Sequence, residues 1–394
     1  MADKSLLSVE EAEKAISAFP ISVKSKTVPL LAAQGRFLAQ DLFSPIDMPG
    51  FDKSAMDGFA YKSDDASTAF KIVETIPAGI PPKIVVTPGQ CAKIMTGAMI
   101  PVGADRVVKR EYTVEEEGFM RIVKADGNLN IRLKGEDLQA GKLAMARGTR
   151  LQPAQVALLA SLGLAEIPVA QPSKVGIITT GSELVDPGSP LAPGQVYNSN
   201  SYSLAAQLSE TGAEPIMLGR VADDEEATTK AIASGLGACD VLILSGGVSA
   251  GDFDYVPAAM KKAGLTLHFK KIAVQPGMPT VFASLGDKAV FGLPGNPVST
   301  FVIFEVFIRP MLLRLMGHAF RPLVQPAVMT VAFSRSHSER TAFLPVSCRH
   351  GRATLVPYHG SAHLHALSLA NALLCVPAGQ DTIPAGSTVD VRFL

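Results

Sequence analysis

The pattern of apolar and polar positions divides the chain into a β-rich first part and a second part in which strands and helices alternate. Residues 8–19 begin with the capping-box spacing Ser8-Val9-Glu10-Glu11 and continue with apolar residues near the helical period, which predicts a short helix. From about Val28 to Val123, short apolar runs are broken by Pro and Gly, a pattern typical of strands and turns. The predicted strands there include Phe70–Val73, Lys83–Val86 and Arg106–Val108.

Strands and helices alternate beyond Gln171-Pro172-Ser173, a segment typical of a linker. The run Val241–Leu244 is apolar throughout, as expected for a strand buried on both faces of a sheet. The alternation predicts an α/β domain with a doubly wound, mostly parallel sheet. Its predicted strands are Lys174–Thr179, Glu214–Arg220, Val241–Leu244 and Lys288–Gly292, and its predicted helices are Ser201–Thr211, Asp223–Leu236 and a long helix after Pro297.

Two further regions complete the predicted architecture, which is that of an α/β multidomain protein. Pro153 begins a predicted helix that continues over Gln155–Leu162 and ends at Gly163. After Pro322 the apolar runs are short again, which predicts a small C-terminal β domain. Its predicted strands are Val328–Phe333, Thr341–Pro345, Ala353–Pro357 and Val389–Leu394.

The composition is that of a protein with buried cores, and it excludes several classes of function. The chain has 394 residues, enough for two to four domains, and its 36 Lys and Arg balance 36 Asp and Glu, so the formal net charge is zero. A neutral chain has no broad attraction for nucleic acid or for anionic membranes, and we expect neither as a partner. The four cysteines are far apart, so the sequence contains no C-x-x-C zinc or redox pair.

Val298–Met316 is the stretch that most resembles a membrane span, but it carries three charges that are costly at bilayer depth. Two of them, Glu305 and Arg309, are spaced i, i+4 and can pair on one helix face. The helix is apolar nearly all round, so we expect the neighbouring domain or a partner subunit to cover it. The first residues lack the apolar run of a signal peptide, and a cytoplasmic protein is expected.

Candidate chemistry lies in three loops that leave predicted strand ends. In an open parallel sheet, ligands bind beyond the carboxyl ends of the strands. Glycines allow the backbone to approach a phosphate closely, and backbone N–H groups and hydroxyls there can donate to it. Each loop alone is also consistent with a tight turn, but three at one sheet edge indicate an anion-binding site. The loops are Thr179–Glu183, Ser245–Asp254 and Gly292–Pro297.

Carboxylates accompany these loops and indicate a divalent cation. Glu183 lies in the first loop, Asp254 ends the second, and Asp223 follows a neighbouring strand. A hard cation such as Mg²⁺ joins carboxylates to phosphate oxygens. Helix capping is the alternative explanation for Asp223 or Asp224 and for Asp254, whereas Glu183 has no such structural explanation.

Other patterns carry less weight. The sequence has neither the G-x-x-x-x-G-K-[ST] loop of P-loop nucleotide hydrolases nor the G-x-G-x-x-G of dinucleotide-binding domains. His359-x-x-x-His363-x-His365 resembles metal-ligand spacing, but no carboxylate is interleaved and the segment is a poor helix, so a metal role is disfavoured. In the N-terminal half, the polar segments Pro49–Ala60 and Ile94–Pro101 and the charged cluster at 132–137 are predicted to be loops.

Taken in order, these segments resemble the molybdopterin molybdenumtransferase family, the proteins of the MoeA and gephyrin E-domain type. The resemblance spans nearly the whole chain. Its most specific parts are Pro49–Ala60, Thr96-Gly97, Gly135-Glu136-Asp137, Thr180–Leu184, Ser245–Ser249 and Gly292–Ser299. The resemblance implies a metal-dependent transferase that inserts molybdate into the dithiolene of adenylylated molybdopterin and releases AMP.

The resemblance also implies an elongated homodimer of four-domain subunits, whose active site lies between the central and N-terminal domains of different subunits. It further suggests two kinds of partner, an adenylyltransferase that supplies the substrate and molybdoenzymes that receive the cofactor. The expected domains are domain I at 1–25, 42–52 and 144–171, domain II at 26–41 and 53–143, domain III at 172–322 and domain IV at 323–394.

Carried onto matching positions, the resemblance assigns roles to individual residues. A cation such as Lys271 or Arg132 would help to hold molybdate. The catalytic residues that it implies are Asp57, Thr96, Asp137, Glu183, Asp223, Asp254 and Lys271, of which Glu183, Asp223 and Asp254 would hold Mg²⁺ or another divalent cation. The residues that it implies for binding adenylylated molybdopterin and molybdate are Thr180, Gly181, Ser245, Gly246, Gly247, Ser249, Pro294, Gly295, Asn296, Pro297, Arg340 and Ser361.

The sequence departs from the family pattern at three places. Gln275-Pro276-Gly277-Met278-Pro279 stands where the family has Lys-Pro-Gly-Lys-Pro, Lys53 replaces an Asn, and Arg340–Pro345 differs from Arg-x-Glu-Phe-Leu-Arg. The two lost cations motivate a second hypothesis, a paralogue that binds molybdopterin as a carrier or scaffold without turnover. A third hypothesis, an adenylyltransferase of the related single-domain type, is disfavoured by the N-terminal segments Pro49–Ala60 and Thr96-Gly97.

Overall fold

The computed structural model describes residues 6–248 and 255–394. The N-terminal β-rich unit is a sheet that is buried on both faces. Successive residues of a strand point to opposite faces, and the neighbours Phe59 and Ala60 belong to different apolar clusters. Residues 83–86, predicted as a strand, lie in an irregular segment that follows Pro81 and Pro82, and proline has no N–H to donate to a sheet. The order across the sheet is Arg106–Lys109, Gly58–Tyr61, Gln90–Ile94, Phe70–Ile76, Phe119–Ile122 and Thr113–Glu116.

A second, smaller unit joins segments that are far apart in the chain. Ser25–Pro29 pairs antiparallel with Glu166–Ala170, and Leu42–Phe43 pairs with Leu143–Met145. The helix Pro153–Ser161 contributes Leu159 to the same core. Residues of the segment 26–41, which was expected to belong with 53–143, pair and pack with this unit. The local pattern identifies a strand at 25–29, but it does not say which distant strand supplies the hydrogen bonds.

The first helix, Val9–Ser17, has the predicted capping box. Ser8 Oγ accepts a hydrogen bond from the backbone N of Glu11 at 3.1 Å, and Glu11 Oε2 accepts one from the backbone N of Ser8 at 2.9 Å. The buried face of this helix packs into the core of the central domain. The helix thus packs on the central domain, while the assignment of 1–25 to one domain with 42–52 and 144–171 stays an expectation.

The central domain is a six-stranded sheet with helices on both faces, as predicted. Four strands are parallel and adjacent, in the order Glu214–Val221, Lys174–Thr180, Val241–Ser245 and Lys288–Leu293. Two strands that the sequence did not predict, Val281–Leu285 and Thr266–Phe269, extend the sheet with antiparallel pairing. The helices are Ser199–Thr211, Glu225–Ala238, Val256–Lys262 and a long final helix made of Pro297–Ile303, a π-helical turn at Phe304–Ile308 and Arg309–Leu315.

The long final helix is covered within its own chain. Its residues Phe304 and Phe307 are buried in a core that also contains Phe343 of the C-terminal domain. The predicted ion pair on the helix is formed, since Arg309 Nη2 donates to Glu305 Oε1 at 3.1 Å. The burial of this helix therefore requires no partner subunit. Within residues 6–248 and 255–394, no helix is both long and apolar enough to cross a membrane.

The C-terminal domain is a sheet closed on itself. Thr341–Arg349 pairs with both of its neighbours, so the last strand of the series returns to the first. Val274–Gln275 of the central domain adds to Thr341–Ala342 in parallel. The order around the sheet is Thr341–Arg349, Arg352–Leu355, Val324–Met329, Thr388–Phe393 and Ala372–Val376.

The remaining elements are short. The predicted strand Val328–Phe333 is divided between Val324–Met329 and a separate pair, Phe333–Ser334 with Thr382–Ile383. The other short strands are Lys53–Ser54, Ile131–Arg132, Leu184–Val185 and Val196–Tyr197, and the other helical pieces are Leu30–Ala33, Arg110–Tyr112 and His365–Leu369.

Candidate functional site

The three glycine-rich loops meet in one cleft at the carboxyl edge of the central sheet. Lys174–Thr180, Val241–Ser245 and Lys288–Leu293 are adjacent parallel strands, so the loops that follow them leave the same edge. The cleft between the loops has a volume of about 770 Å³. The predicted residues that line it are Thr180, Gly181, Glu183, Asp223, Ser245, Gly246, Gly247, Pro294, Gly295, Asn296 and Pro297.

Two of the loop glycines have backbone angles that favour glycine, and at Gly246 the neighbouring backbone also leaves no room for a side chain. Gly246 has φ 101°, and a Cβ there would lie 2.6 Å from both the carbonyl oxygen and the hydroxyl oxygen of Thr180. Gly181 has φ 142°, and a Cβ there would lie 2.7 Å from Glu183 Oε1. L-residues with side chains rarely adopt these backbone angles. The floor of the cleft is therefore built so that backbone atoms of neighbouring loops come close together.

The hydroxyl group of Thr180, at the floor of the cleft, is available to form a hydrogen bond. Thr180 is 7% exposed, and its Oγ1 has no hydrogen-bond partner in the described part of the chain. A buried hydroxyl without a partner costs about 1–3 kcal/mol, so such atoms in native proteins usually have an explanation. A bound ligand that accepts a hydrogen bond from Thr180 Oγ1 would remove this cost.

Two carboxylates stand on the wall of the cleft. Asp223 Oδ2 accepts hydrogen bonds from the backbone N of Ser182 at 3.0 Å and from Ser182 Oγ at 3.2 Å. Asp224, and not Asp223, caps the following helix, because Asp224 Oδ1 accepts from the backbone N of Ala227 at 2.7 Å. The capping explanation therefore applies to Asp224 and leaves Asp223 free for a ligand. The exposed side chain of Glu183 lies in the same loop as Ser182.

Sequence reasoning missed Asn200, which joins two of the loops. Its Nδ2 donates to Ser245 Oγ at 2.8 Å and to the carbonyl oxygen of Gly295 at 2.8 Å. The helix that carries it begins at Ser199, capped by the Asn198 side chain, which accepts from the backbone N of Ser201. The predicted helix began only at Ser201. A signal was present, because Asn-Ser-Asn before an apolar helical pattern is typical of a helix start.

The C-terminal domain reaches the cleft through Ser361. Asn296 Nδ2 donates to Ser361 Oγ at 2.8 Å, and the backbone N of Val298 donates to the carbonyl oxygen of Ser361 at 3.0 Å. The next residues, Ala362 and Leu364, line the cleft itself. The structure therefore brings Ser361 to the third loop.

Lys271 and Arg340 do not line the cleft, although they lie on neighbouring segments. Thr341 is opposite Val274 in the parallel pair that joins the two domains, which places Arg340 close to the backbone that follows Lys271. The carbonyl oxygen of Lys271 accepts from the backbone N of Leu7 at 3.1 Å. Of the segment 275–279, Pro279 lines the cleft.

The predicted residues of the N-terminal half lie away from the cleft lining, and two of them are hydrogen-bonded to each other. Asp57 Oδ1 accepts from both the backbone N and the Oγ1 of Thr96, each at 2.7 Å. These hydrogen bonds, led by the one from the backbone N, lower the pKa of Asp57 below its usual value. Asp137 is exposed, and its backbone N donates to the carbonyl oxygen of Met48. Asp57, Thr96 and Asp137 do not line the cleft of their own chain.

Arg132, the other candidate for holding molybdate, is paired elsewhere. Its Nη1 donates to Glu136 Oε1 at 2.9 Å, and both side chains are largely exposed. Ser249 and Asp254, predicted to bind ligand and metal, lie outside the described residues. In the two described ranges, no group of three or more His, Cys, Asp or Glu side chains is arranged to hold a metal ion.

The fold and the cleft indicate the kind of ligand that this protein binds. A parallel α/β domain with glycine-lined strand ends and adjacent carboxylates is suited to a phosphate-bearing ligand, and here it is combined with β-rich domains before and after it. Residues 7–163 match the family of the MoeA N-terminal region (domain I and II), 176–314 match the probable molybdopterin binding domain, and 327–394 match the MoeA C-terminal region (domain IV).

Whole-chain relatives agree with these matches. The chain is 36% identical to a molybdopterin molybdenumtransferase of Bacillus subtilis over 98% of its length and 94% of the relative. It is 37% identical to molybdopterin molybdenumtransferase 2 of Mycobacterium tuberculosis over 98% of both chains. The crystal structure of the molybdopterin biosynthesis MoeA protein from Pyrococcus horikoshii superposes with a TM-score of 0.87 at 29% identity, covering 99% of this chain and 100% of that one. The chain belongs to the molybdopterin molybdenumtransferase family, and it is a transferase of molybdenum cofactor biosynthesis.

Proposed function

We propose that the protein inserts molybdenum, supplied as molybdate, into the dithiolene of adenylylated molybdopterin and releases AMP. The observation that carries this proposal is the cleft, where three glycine-rich loops and two carboxylates meet at one sheet edge. The substrate presents phosphates, and the loops present close backbone and the unpartnered hydroxyl of Thr180. These residues act mainly by positioning the substrate and by balancing its charge.

The residues of the cleft fit a divalent cation such as Mg²⁺. This ion is usually held by one or two carboxylates together with substrate phosphates and water. Glu183 and Asp223 supply two carboxylates on the cleft wall, and both hydrogen bonds from Ser182 go to Oδ2 of Asp223, which leaves Oδ1 available. A cation held there would neutralise charge on the substrate phosphates. Asp254 is proposed as the third carboxylate from the resemblance alone.

We also propose that the protein acts as a homodimer in the cytoplasm, with each active site shared between two subunits. Asp57 and Thr96 form a hydrogen-bonded pair next to strands of the N-terminal sheet, yet they lie outside the cleft of their own chain. In the proposed arrangement the partner subunit supplies them. An adenylyltransferase that provides the substrate and molybdoenzymes that accept the product are the proposed protein partners.

Purified protein supplied with adenylylated molybdopterin, molybdate and Mg²⁺ tests the proposal. We expect AMP release together with cofactor that activates a molybdenum-free apoenzyme. Tight binding of the adenylylated pterin without AMP release would instead support the alternative function, a carrier or scaffold. Omission of molybdate and chelation of Mg²⁺ are the controls, since each should stop AMP release if insertion is the reaction.

A further inference from the structure

A second cleft lies where the small N-terminal unit meets the end of the long final helix. This junction cleft has a volume of about 530 Å³, which is within the usual range of small-molecule sites. The final helix begins at Pro297, in the cleft of the glycine-rich loops, and ends at Leu315, in the segment next to the junction cleft. The length of that helix separates the two clefts by about 25 Å, so the junction cleft is a distinct site.

The lining of the junction cleft is basic. Among the described residues that line it, three are Arg or His and none is Asp or Glu. The cleft of the glycine-rich loops has the reverse character, since its described lining contains Glu183 and Asp223 and no Lys, Arg or His. Positive groups without carboxylates beside them attract anions. The basic residues of the junction cleft are Arg147, Arg314 and His318.

Arg314 is a partly buried guanidinium without a carboxylate partner. Its Nη2 donates to the carbonyl oxygens of Ile16 and Phe19, each at 3.3 Å, and these bonds bring no negative charge. Its buried Nε and its Nη1 make no hydrogen bond with any described residue. Burial lowers the pKa of Arg314 below its ordinary value. Because a charge that is partly removed from water without a counter-charge is costly, a bound anion would offset that cost.

Arg147 supplies a second guanidinium from the small unit. Its backbone N donates to Asp41 Oδ1 at 2.8 Å, which fixes the backbone at this position. Its side chain is exposed and has neither a hydrogen bond nor an ion pair with a described residue. Guanidinium groups present a planar set of donors that matches a phosphate group, so two of them in one cleft favour this kind of anion.

His318 fastens the two sides of the junction cleft together. Its Nδ1 donates to the carbonyl oxygen of Gly148 at 2.8 Å, and its ring stacks on Phe37 with centroids 4.8 Å apart. Gly148 has φ 76°, and a Cβ there would lie 2.2 Å from the carbonyl oxygen of Gly317. The turn that carries Arg147 is therefore held against the turn after the final helix. A protonated His318 ring can also donate from Nε2 to an anion.

The end of the final helix is closed by its own backbone. The backbone N of Gly317 donates to the carbonyl oxygen of Arg314, and the backbone N of His318 donates to that of Leu313, each at 2.9 Å. Free carbonyl oxygens at the end of a helix repel anions. Because these two are already paired, the repulsion is reduced at the place where the basic residues lie.

We propose that the junction cleft binds a phosphate group, either as free phosphate or as a small phosphate monoester, and that Arg147 and Arg314 hold it. The remaining wall includes Ile21, Val23 and Ala39, which suits the organic part of an ester. A ligand held there would connect the small N-terminal unit to the central domain. The inference goes beyond the proposed molybdenum insertion and does not depend on it.

Titration calorimetry of the full-length protein with inorganic phosphate and with ribose 5-phosphate tests the proposal. We expect Arg147→Ala to weaken binding of the phosphate group about tenfold, since it removes a charge-assisted hydrogen bond. Arg314→Lys, which keeps the charge but loses the planar donors, should weaken binding in the same direction. Tighter binding of ribose 5-phosphate than of phosphate identifies an ester as the ligand, and equal binding identifies free phosphate.

The matched control is Arg121→Ala, an exposed arginine of the N-terminal sheet that lies outside the junction cleft and should bind both probes like wild type. Thr180→Ala reports on the cleft of the glycine-rich loops. Phosphate should raise the unfolding temperature of wild type and of Arg121→Ala more than that of Arg147→Ala, because a ligand of the folded state stabilises it.

Three results would each overturn the proposal. The first is that wild type binds neither probe. The second is that Arg147→Ala and Arg314→Lys fold and bind both probes as tightly as Arg121→Ala does. The third is that Thr180→Ala alone weakens phosphate binding, which would place the phosphate in the other cleft. These measurements need no turnover, so they remain decisive even if the protein releases no AMP.

Discussion

Ser182 donates both its backbone N–H and its hydroxyl to a single oxygen, Oδ2, of Asp223, at 3.0 and 3.2 Å. The two hydrogen bonds fasten the first glycine-rich loop to the end of a neighbouring strand. They also orient the carboxylate so that Oδ1 remains for a cation or a ligand. If Asp223 only stabilised the loop, replacing its carboxylate by the amide of asparagine would leave the activity unchanged.

The variant Asp223→Asn separates these two roles. An asparagine keeps a carbonyl oxygen that can accept from Ser182, but it removes the negative charge. We therefore expect a folded protein whose AMP release falls by about 10²–10³, the usual cost of losing one preorganised electrostatic group, and whose Mg²⁺ requirement rises. The measurement is AMP release as a function of Mg²⁺ concentration, with Ser182→Ala as the control for loop geometry. Wild-type turnover of Asp223→Asn at ordinary Mg²⁺ would remove the metal role.

The proposed sharing of each active site between two subunits predicts complementation between two inactive variants. Asp57→Asn affects the N-terminal contribution, and Glu183→Gln affects the cleft. In a homodimer with sites between subunits, a mixed dimer has one site with both residues intact, so an equal mixture should recover about a quarter of wild-type turnover. The measurement is AMP release by the co-expressed variants, with each variant alone as control. A mixture as inactive as its components, in dimers shown to exchange, would contradict a site shared between subunits.

Asn200 is uncharged, and we predict that its hydrogen bonds hold two loops of the cleft together. Asn200→Ala removes the hydrogen bonds to Ser245 Oγ and to the carbonyl oxygen of Gly295, so two loops lose their connection. We expect the free energy of unfolding to fall by about 1–2 kcal/mol and the KM for adenylylated molybdopterin to rise. Urea denaturation and steady-state kinetics measure the two effects. Ser203→Ala, on the same helix, is the control, and an equal change in KM there would show that the effect is not specific to the loops.

Gln275 stands where the resemblance to the family implies a lysine, and we predict that introducing this cation helps molybdate use. A unit charge about 4 Å from an anion contributes on the order of 1–4 kcal/mol, so Gln275→Lys should lower the molybdate requirement about tenfold. The gain should shrink at high ionic strength. The comparison is AMP release against molybdate concentration at low and high salt, with Gln380→Lys as an exposed control. An unchanged molybdate dependence at low salt would mean that residue 275 does not face the oxyanion.

The buried carboxyl group of Glu305 should make the stability of the protein depend on pH. Burial raises the pKa of Glu305 above its ordinary value of 4.5, and Arg309 opposes this rise only in part. The folded state then holds the proton more tightly than the unfolded state, so the free energy of unfolding falls as pH rises through the interval above pH 4.5. Glu305→Gln removes this dependence.

Urea denaturation of wild type and Glu305→Gln at several pH values measures the effect. The difference in free energy of unfolding, wild type minus variant, should decrease as pH rises from about 4.5 and then level off above the raised pKa. Loss of the charge beside Arg309 adds an offset, but that offset does not change the direction. A difference that grows with pH over this range would contradict the expected direction of the pKa shift.

The sequence by itself determined the features that depend on neighbouring residues. The capping box at Ser8 and Glu11, the buried strand Val241–Ser245 and the glycine-rich loops after three strands all follow from local spacing and composition. Since adjacent parallel strands end at one edge, these local features were also sufficient to predict a ligand cleft there. The resemblance to the molybdopterin molybdenumtransferase family was likewise confirmed, because the family matches and the whole-chain relatives cover nearly the entire sequence.

Only the tertiary structure decided which distant segments meet. Ser25–Pro29 pairs with Glu166–Ala170, Asn200 joins Ser245 to Gly295, and Ser361 brings the C-terminal domain to Asn296. Local patterning states that a strand or a polar side chain needs a partner, but many distant partners satisfy the same requirement. The choice among them is made by the simultaneous packing of all the cores, and for that reason it is not contained in any one segment of the sequence.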